Sequence, residues 1–172
     1  AYITIREALR SRSMKKADDT AHMLGDSFFA IYRVYLRDGS YEGIKIYEDL
    51  QGKVPKKGSY GQLIETMRPL VKPSTYRAFE ESFSLENIQK RIRQGVEDYG
   101  GDYQRLFGDK YRWVNIRTLY DQEVDPNVVI LCFRNVDEEK RREMQTTLFL
   151  QDALEAAQRS TKAKSEFFSG MS

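Results

Sequence analysis

The sequence predicts an α+β fold in which a five-stranded antiparallel sheet carries short helices on one face. Three observations predict it. Two strand-like runs, several short helical patterns and three further strand-like runs follow one another along the chain. The last strand-like run is apolar on both faces, and a long segment without glycine or proline comes directly after it. A long helix is therefore predicted after the sheet domain, and another helix is predicted before it.

The first two strands are predicted at residues 28–36 and 41–47, where aromatic and β-branched residues surround the Asp38-Gly39 pair. An Asp-Gly pair between two such runs is a strong signal of a β-hairpin. Gly43 interrupts the second run, which predicts a bulge or a close approach of another backbone segment.

A helix is predicted over residues 1–24, because apolar residues recur there at helical spacing and Gly25 follows. Short helices are predicted between residues 48 and 95, with Ser84 as an N-cap and Asn87 in the first turn. Their apolar positions are Leu63, Ile64, Met67, Tyr76, Phe79, Phe83, Ile88 and Ile92.

Three more strands are predicted at residues 99–107, 111–120 and 127–136. Residues 128–133 are apolar at every position, so this last strand needs a cover on both of its faces. The short helices can supply one cover. The N-terminal helix, a partner chain, or both are the alternatives for the other.

A long helix is predicted from Asp137, as its N-cap, to about residue 168. One seam of this helix follows alternating steps of four and three residues, which is the spacing of a coiled coil. A surface helix folded back on its own domain is the alternative, but the length and the period together favour a parallel or antiparallel helix pair. The seam consists of Leu150, Leu154, Ala157, Thr161, Lys164, Phe168 and Met171.

Composition excludes several classes of protein. The 172 residues include 28 basic and 26 acidic ones, interleaved rather than gathered in a basic stripe, so no nucleic-acid partner is expected. The single cysteine, Cys132, excludes an internal disulfide and a cysteine-based zinc site. No stretch has the length of a membrane span, which predicts a cytoplasmic segment without membrane contact and leaves anchoring of a longer parent protein open.

Two segments carry a resemblance to a known family. Residues 111–114 (Tyr-Arg-Trp-Val) are similar to the start of the fourth strand in PAS domains of the fold-3-like subfamily that feed bacterial kinases. Residues 133–140 resemble the Asp-Ile-Thr-x-x-Lys/Arg motif that ends PAS domains, with Asn135 in place of its Asp and Asp137 in place of its Thr. The resemblance implies a PAS fold over residues 25–136.

Residues 163–172 (Ala-Lys-Ser-Glu-Phe-Phe-Ser-Gly-Met-Ser) resemble the segment just before the phosphoacceptor histidine of sensor histidine kinases. This implies that residues 137–172 are a signalling helix that leads into a dimerisation domain. It also implies a two-component phosphorelay, in which a kinase core and a response regulator are partners of the parent protein. The piece itself is expected to have no enzyme activity, while the parent autophosphorylates with ATP.

The resemblance also implies a ligand pocket between the inner face of the sheet and the short helices, although the same residues can simply fill a core. An unidentified small ligand stays open. Haem is not expected without an axial histidine in a pocket helix, and flavin photochemistry is not expected without a cysteine there. The predicted lining is Ile44, Ile46, Phe79, Phe83, Trp113, Val114, Ile130 and Cys132, with Ile88, Ile92, Leu106 and Ile116 as further members.

Three functions remain open at this point: a signal-input module, a small-molecule receptor, and a plain dimerisation scaffold that pairs through the flanking helices. The first is favoured, because the last strand runs without interruption into the long helix. A small change in the sheet would then reorient a helix pair. The residues predicted to transmit the signal are Asn135, Val136, Asp137, Lys140, Leu150, Leu154 and Ala157.

Overall fold

A computed structural model describes residues 27–96 and 98–170. The predicted helix at residues 1–24 lies outside these residues. The secondary structure follows the predicted order of strands, short helices, strands and long helix. The elements are β1 (Ala30–Tyr35), β2 (Ser40–Lys45), β3 (Lys57–Ser59), α1 (Tyr60–Met67), α2 (Pro73–Phe83), α3 (Leu85–Arg93), β4 (Asp98–Phe107), β5 (Lys110–Tyr120), β6 (Val128–Asn135) and α4 (Asp137–Gly170), with 3₁₀ turns at Glu48–Leu50 and Arg68–Leu70.

The strands form one antiparallel sheet in the order β3-β2-β1-β6-β5-β4. The predicted α+β fold is confirmed, but within the described residues the sheet has six strands rather than five. The additional strand, β3, is three residues long and pairs with β2 through Tyr41 and Gly58 at the sheet edge. Three residues with a central glycine are too few to show the two-residue alternation from which strands are recognised in a sequence.

The β1–β2 hairpin forms at the predicted Asp38-Gly39 pair. Gly39 has a φ of 70°, and the backbone N–H and the hydroxyl of Ser40 both donate to the Asp38 carboxylate. The expected irregularity at Gly43 is confirmed. Its N–H donates to the Lys56 carbonyl over 2.6 Å, and the pairing of β1 with β2 shifts by one residue beside it, which leaves Ile44 as the bulged residue.

Strand β6 lies between β1 and β5, and both of its faces are buried as predicted. Val129, Leu131 and Phe133 belong to the main core, whereas Ile130 and Cys132 belong to a second apolar cluster on the opposite face. The proposal that residues 1–24 cover this second face concerns residues outside the described part of the chain.

Helices α1, α2 and α3 all contribute to the main core, so they share the inner face of the sheet as predicted. Each helix contributes a side chain that is no more than 2% exposed, namely Leu63, Phe79 and Ile88. The predicted cap is present, since the Asn87 N–H donates to the Ser84 hydroxyl over 3.3 Å at the start of α3.

The long helix α4 is a compact unit separate from the sheet domain, which ends at Val136. Its 34 residues, at 1.5 Å each, make it about 51 Å long. None of these residues is buried. In the described residues, no helix combines the length and the apolar character needed to cross a membrane.

Candidate functional site

The predicted pocket residues lie on two different faces of the sheet, so they do not line one cavity. Ile46, Phe79, Phe83 and Val114 belong to the main core on the inner face, together with Ile88, Ile92 and Ile116. Ile44, Ile130 and Cys132 belong to the cluster on the outer face. Trp113 and Leu106 alternate with inner-face neighbours and therefore also point outward. The prediction of a single lining was wrong, because β6 is apolar on both faces and its sequence cannot reveal which residues point inward.

Large side chains fill the inner face where the ligand was predicted. Phe79, Phe83 and Val114 are no more than 2% exposed. The ring of Phe79 lies 4.8 Å from that of Tyr103 and 5.8 Å from that of Phe83, measured between centroids. At this position the space-filling interpretation of these residues is the better one.

Two phenol groups in this core are exceptions to ordinary packing. The hydroxyls of Tyr32 and Tyr103 are buried and have no hydrogen-bond partner among the described residues. Burial raises the pKa of both phenols. By contrast, the equally buried hydroxyl of Tyr60 donates to the Phe83 carbonyl. Buried polar groups without a partner are rare in folded proteins and call for an explanation.

An ion pair also lies on the inner face. The Arg105 guanidinium donates two hydrogen bonds to the Asp49 carboxylate, each 2.7 Å long, and a third of 2.9 Å to the Leu106 carbonyl. The side chain of Arg105 is 2% exposed and that of Asp49 is 33% exposed. Sequence reasoning missed this pair. Arg105 does occupy an inward position of β4, between Tyr103 and Phe107, and a charge at such a position is the signal that could have revealed it.

Three aromatic rings surround the guanidinium. Phe29, Tyr47 and Phe107 lie edge to face, with centroids 5.3 to 5.5 Å apart. The central carbon of the Arg105 guanidinium lies 4.5 Å from the centroid of Phe107, 5.6 Å from that of Tyr47 and 6.0 Å from that of Phe29. Cation–π attraction therefore adds to the hydrogen bonds that fix this side chain.

A cleft of about 340 Å³ opens beside the ion pair. Asp49 forms part of its wall, and Asn135, at the end of β6, forms another part. The cleft therefore touches the ion pair at its more exposed partner, Asp49, and reaches the last residue of β6. Its other wall residues include Phe29, Tyr47, Glu48, Phe107 and Arg112.

The junction between β6 and α4 is fixed to the sheet by backbone bonding. The Val136 N–H donates to the Trp113 carbonyl over 2.9 Å, and the Val136 side chain is 5% exposed. Asp137 is the first residue of α4, not the residue before it, so the predicted N-cap is displaced by one position. Its carboxylate accepts a 2.7 Å bond from Arg141, and an acidic group there suits the positive end of the helix dipole.

The other predicted transmission residues lie along α4. Lys140 is half-buried, while Leu150 and Leu154 are 60% and 59% exposed and Ala157 is exposed. Phe168, on the same seam, is 69% exposed. The described residues of the seam are thus open to solvent, and all of them except Thr161 and Lys164 are apolar, while Met171 lies outside the described residues.

Cys132 has the properties of a structural thiol. It is buried in the outer-face cluster, and burial raises the pKa of its thiol to about 12. Thiols are nucleophilic and bind metals as thiolates, so this shift opposes both roles. Within residues 27–96 and 98–170, no cluster of three or more His, Cys, Asp or Glu side chains could hold a metal ion.

Comparisons with known proteins give a likeness in structure alone. No protein-family model matches the sequence, and a search of curated proteins finds no significant match. An RNA-binding light-oxygen-voltage receptor is similar over 78% of this chain, with 13% identity and a TM-score of 0.49. This chain spans 34% of the length of that receptor. The N-terminal domain of a diguanylate cyclase with a PAS/PAC sensor from Marinobacter aquaeolei is similar over 64% of this chain and 98% of that one, with 17% identity and a TM-score of 0.40.

Proposed function

We propose that this chain is a PAS-type signal-sensing domain, and that its long exit helix passes a stimulus to a histidine kinase in the same protein. One observation carries the proposal. Strand β6, buried on both faces, continues through Asn135 and Val136 into a helix of 34 residues with no buried residue of its own. The element order and the motif at residues 133–140 support the PAS assignment.

In this proposal, α4 pairs with the same helix of a second copy. A stripe of exposed leucines and phenylalanine on a long helix is the kind of surface that a coiled-coil partner covers. A repacking on either face of β6 would shift Asn135 and Val136, which lie two residues and one residue before the helix. The shift would change the geometry of the helix pair, and so the balance between two states of the kinase.

The kinase part of the proposal is supported by residues 163–172, which resemble the segment before a phosphoacceptor histidine. The ATP-dependent reaction would belong to the rest of the protein, and a response regulator would receive the phosphoryl group. The same reasoning puts this domain in the cytoplasm, where ATP is present.

The test uses the full-length protein that this proposal requires, which includes the kinase part. Replacing Asn135 and Asp137 together by Ala should change the rate of autophosphorylation several-fold, because both residues lie at the junction. Replacing Gln151 and Asp152 by Ala is the matched control, since it removes two similar polar groups from the exposed surface of α4. A junction variant that autophosphorylates like the wild type under every stimulus tried would contradict the proposal.

A small-molecule receptor is a second candidate function. The unpartnered hydroxyls of Tyr32 and Tyr103 favour it, because a bound polar molecule would satisfy them. A metabolite that raises the melting temperature of the domain reproducibly would support this candidate. A plain dimerisation scaffold predicts dimers and no response to any compound.

A further inference from the structure

The ion pair of Arg105 and Asp49 needs an explanation beyond stability. Removing two charges from water costs free energy, and well-packed apolar residues in their place are often equally stable or more so. The pair is also asymmetric. Arg105 is enclosed by three rings and bonded to a backbone carbonyl, whereas Asp49 stands in a three-residue 3₁₀ turn and lines the cleft.

We propose that this cleft binds a small organic acid whose carboxylate takes the place of Asp49 on the Arg105 guanidinium. The planar fork of arginine matches the two oxygens of a carboxylate, and Asp49 already demonstrates the fit with two 2.7 Å bonds. A volume of about 340 Å³ lies within the range of small-molecule sites, which begins at roughly 300 Å³.

The walls of the cleft suit the remainder of such an acid. The rings of Phe29 and Phe107 offer apolar surface, and the exposed Arg112 adds a second positive charge at the rim. A cationic ligand fits less well, because it would have to displace the buried, triply bonded Arg105 from its ring of aromatic side chains. A neutral ligand has no means of competing with the Asp49 carboxylate.

The position of the cleft gives such binding a consequence. Asn135 lines the cleft and precedes Val136, whose N–H is bonded to the Trp113 carbonyl in β5. An acid that released Asp49 would alter the contacts of the strand end from which α4 departs. This regulatory consequence rests on the proposed signal-sensing function, whereas the binding itself does not.

The binding test uses the whole 172-residue chain, labelled with ¹⁵N, and benzoate as the probe. Benzoate should shift the amide signals of Gly108 and Asn135, and benzamide, its neutral analogue, should not. Asp49→Asn should bind benzoate about tenfold more tightly, a gain of about 1.4 kcal/mol, because the competing carboxylate is gone. Asp98→Asn is the matched control, since it weakens a similar ion pair with Arg117 that lies away from the cleft.

A second pair of variants keeps the test decisive if Asp49→Asn fails to fold. Arg112→Gln should weaken benzoate binding several-fold, while Arg117→Gln, also exposed on β5, should leave it unchanged. Equal shifts with benzamide, shifts spread over the whole surface, or no weakening in Arg112→Gln would overturn the proposal. Benzoate binding without any change in autophosphorylation of the full-length protein would keep the site and refute only its link to signalling.

Discussion

At the scale of single residues, the ion pair of Arg105 and Asp49 dominates the inner face of β4. Asp49→Ala removes the carboxylate that pairs with Arg105, whose side chain is only 2% exposed. We expect this change to lower the free energy of unfolding by about 2–4 kcal/mol, less than for a fully buried partner because Asp49 itself reaches solvent. Urea unfolding measures the loss.

The control for this prediction is the pair of Arg117 and Asp98, whose bond is equally short, at 2.7 Å, but whose side chains are 46% and 37% exposed. Asp98→Ala should cost less than about 1 kcal/mol. Equal losses for the two aspartates would mean that the burial of Arg105 has no energetic importance.

For the unpartnered phenols we predict that a substitution raises the free energy of unfolding instead of lowering it. Tyr103→Phe removes a buried hydroxyl without a hydrogen-bond partner, so it should stabilise the fold by about 1 kcal/mol. Tyr60→Phe removes a donor to the Phe83 carbonyl and should destabilise the fold by a similar amount. Thermal and urea melts compare the two variants. Destabilisation by Tyr103→Phe would indicate that a bound water or ligand satisfies this hydroxyl.

Cys132 makes the fold sensitive to alkaline pH. Burial raises the pKa of its thiol from 9.0 to about 12 in the folded chain. The folded state therefore holds the proton more tightly than the unfolded state does. The corresponding stability is complete below pH 9 and is lost as the pH rises towards 12. At pH 8, iodoacetamide should alkylate the native thiol far more slowly than the thiol unfolded in urea; equal rates would contradict the burial.

At the scale of elements, the start of α3 depends on one side chain. Ser84→Ala removes the cap of the Asn87 N–H and should cost about 1 kcal/mol. Ser59 precedes α1 in the same way but makes no side-chain cap bond, so Ser59→Ala should be nearly neutral. Equal effects in urea unfolding would show that the bond at Ser84 contributes nothing.

Elements that have a strong local signal in the sequence were predicted, whereas strand β3, which has no such signal, was missed. The Asp38-Gly39 turn, the Ser84 cap and the apolar run at residues 128–133 each have a local physical cause, and each was found at its predicted place. Strand β3 forms because β2 presents an edge to it, which is a tertiary cause. Nothing within three residues can encode such a contact.

The candidate site was harder to predict than the fold. Alternation tells the two faces of a strand apart only when the faces differ in polarity, and those of β6 do not. Ile130 and Cys132 were therefore assigned to the wrong face. The cleft was missed because its walls unite residues distant in sequence, such as Phe29, Asp49 and Asn135, whose proximity no local pattern records.

At the scale of the whole molecule, the described part of the chain consists of a sheet domain with two apolar clusters and a helix with none. The absence of glycine and proline after Asp137 was enough to predict the length of α4, whereas the position of its seam stays a prediction. In this proposal the partner that covers this seam is a second molecule, so the sequence of one chain does not identify it. The proposed signalling through α4 therefore depends on the claim that this helix pairs with a second copy of itself.

Light scattering during size-exclusion chromatography tests this claim most directly. We expect a mass near twice the 20.1 kDa of one chain, and we expect Leu154→Asp to reduce it to the mass of a single chain. Phe149→Asp is the matched control, since this residue is 72% exposed but lies off the seam, and its dimer should persist. A wild-type chain with a mass of 20.1 kDa at every concentration, or a dimer that Leu154→Asp leaves intact, would show that α4 does not pair along this seam.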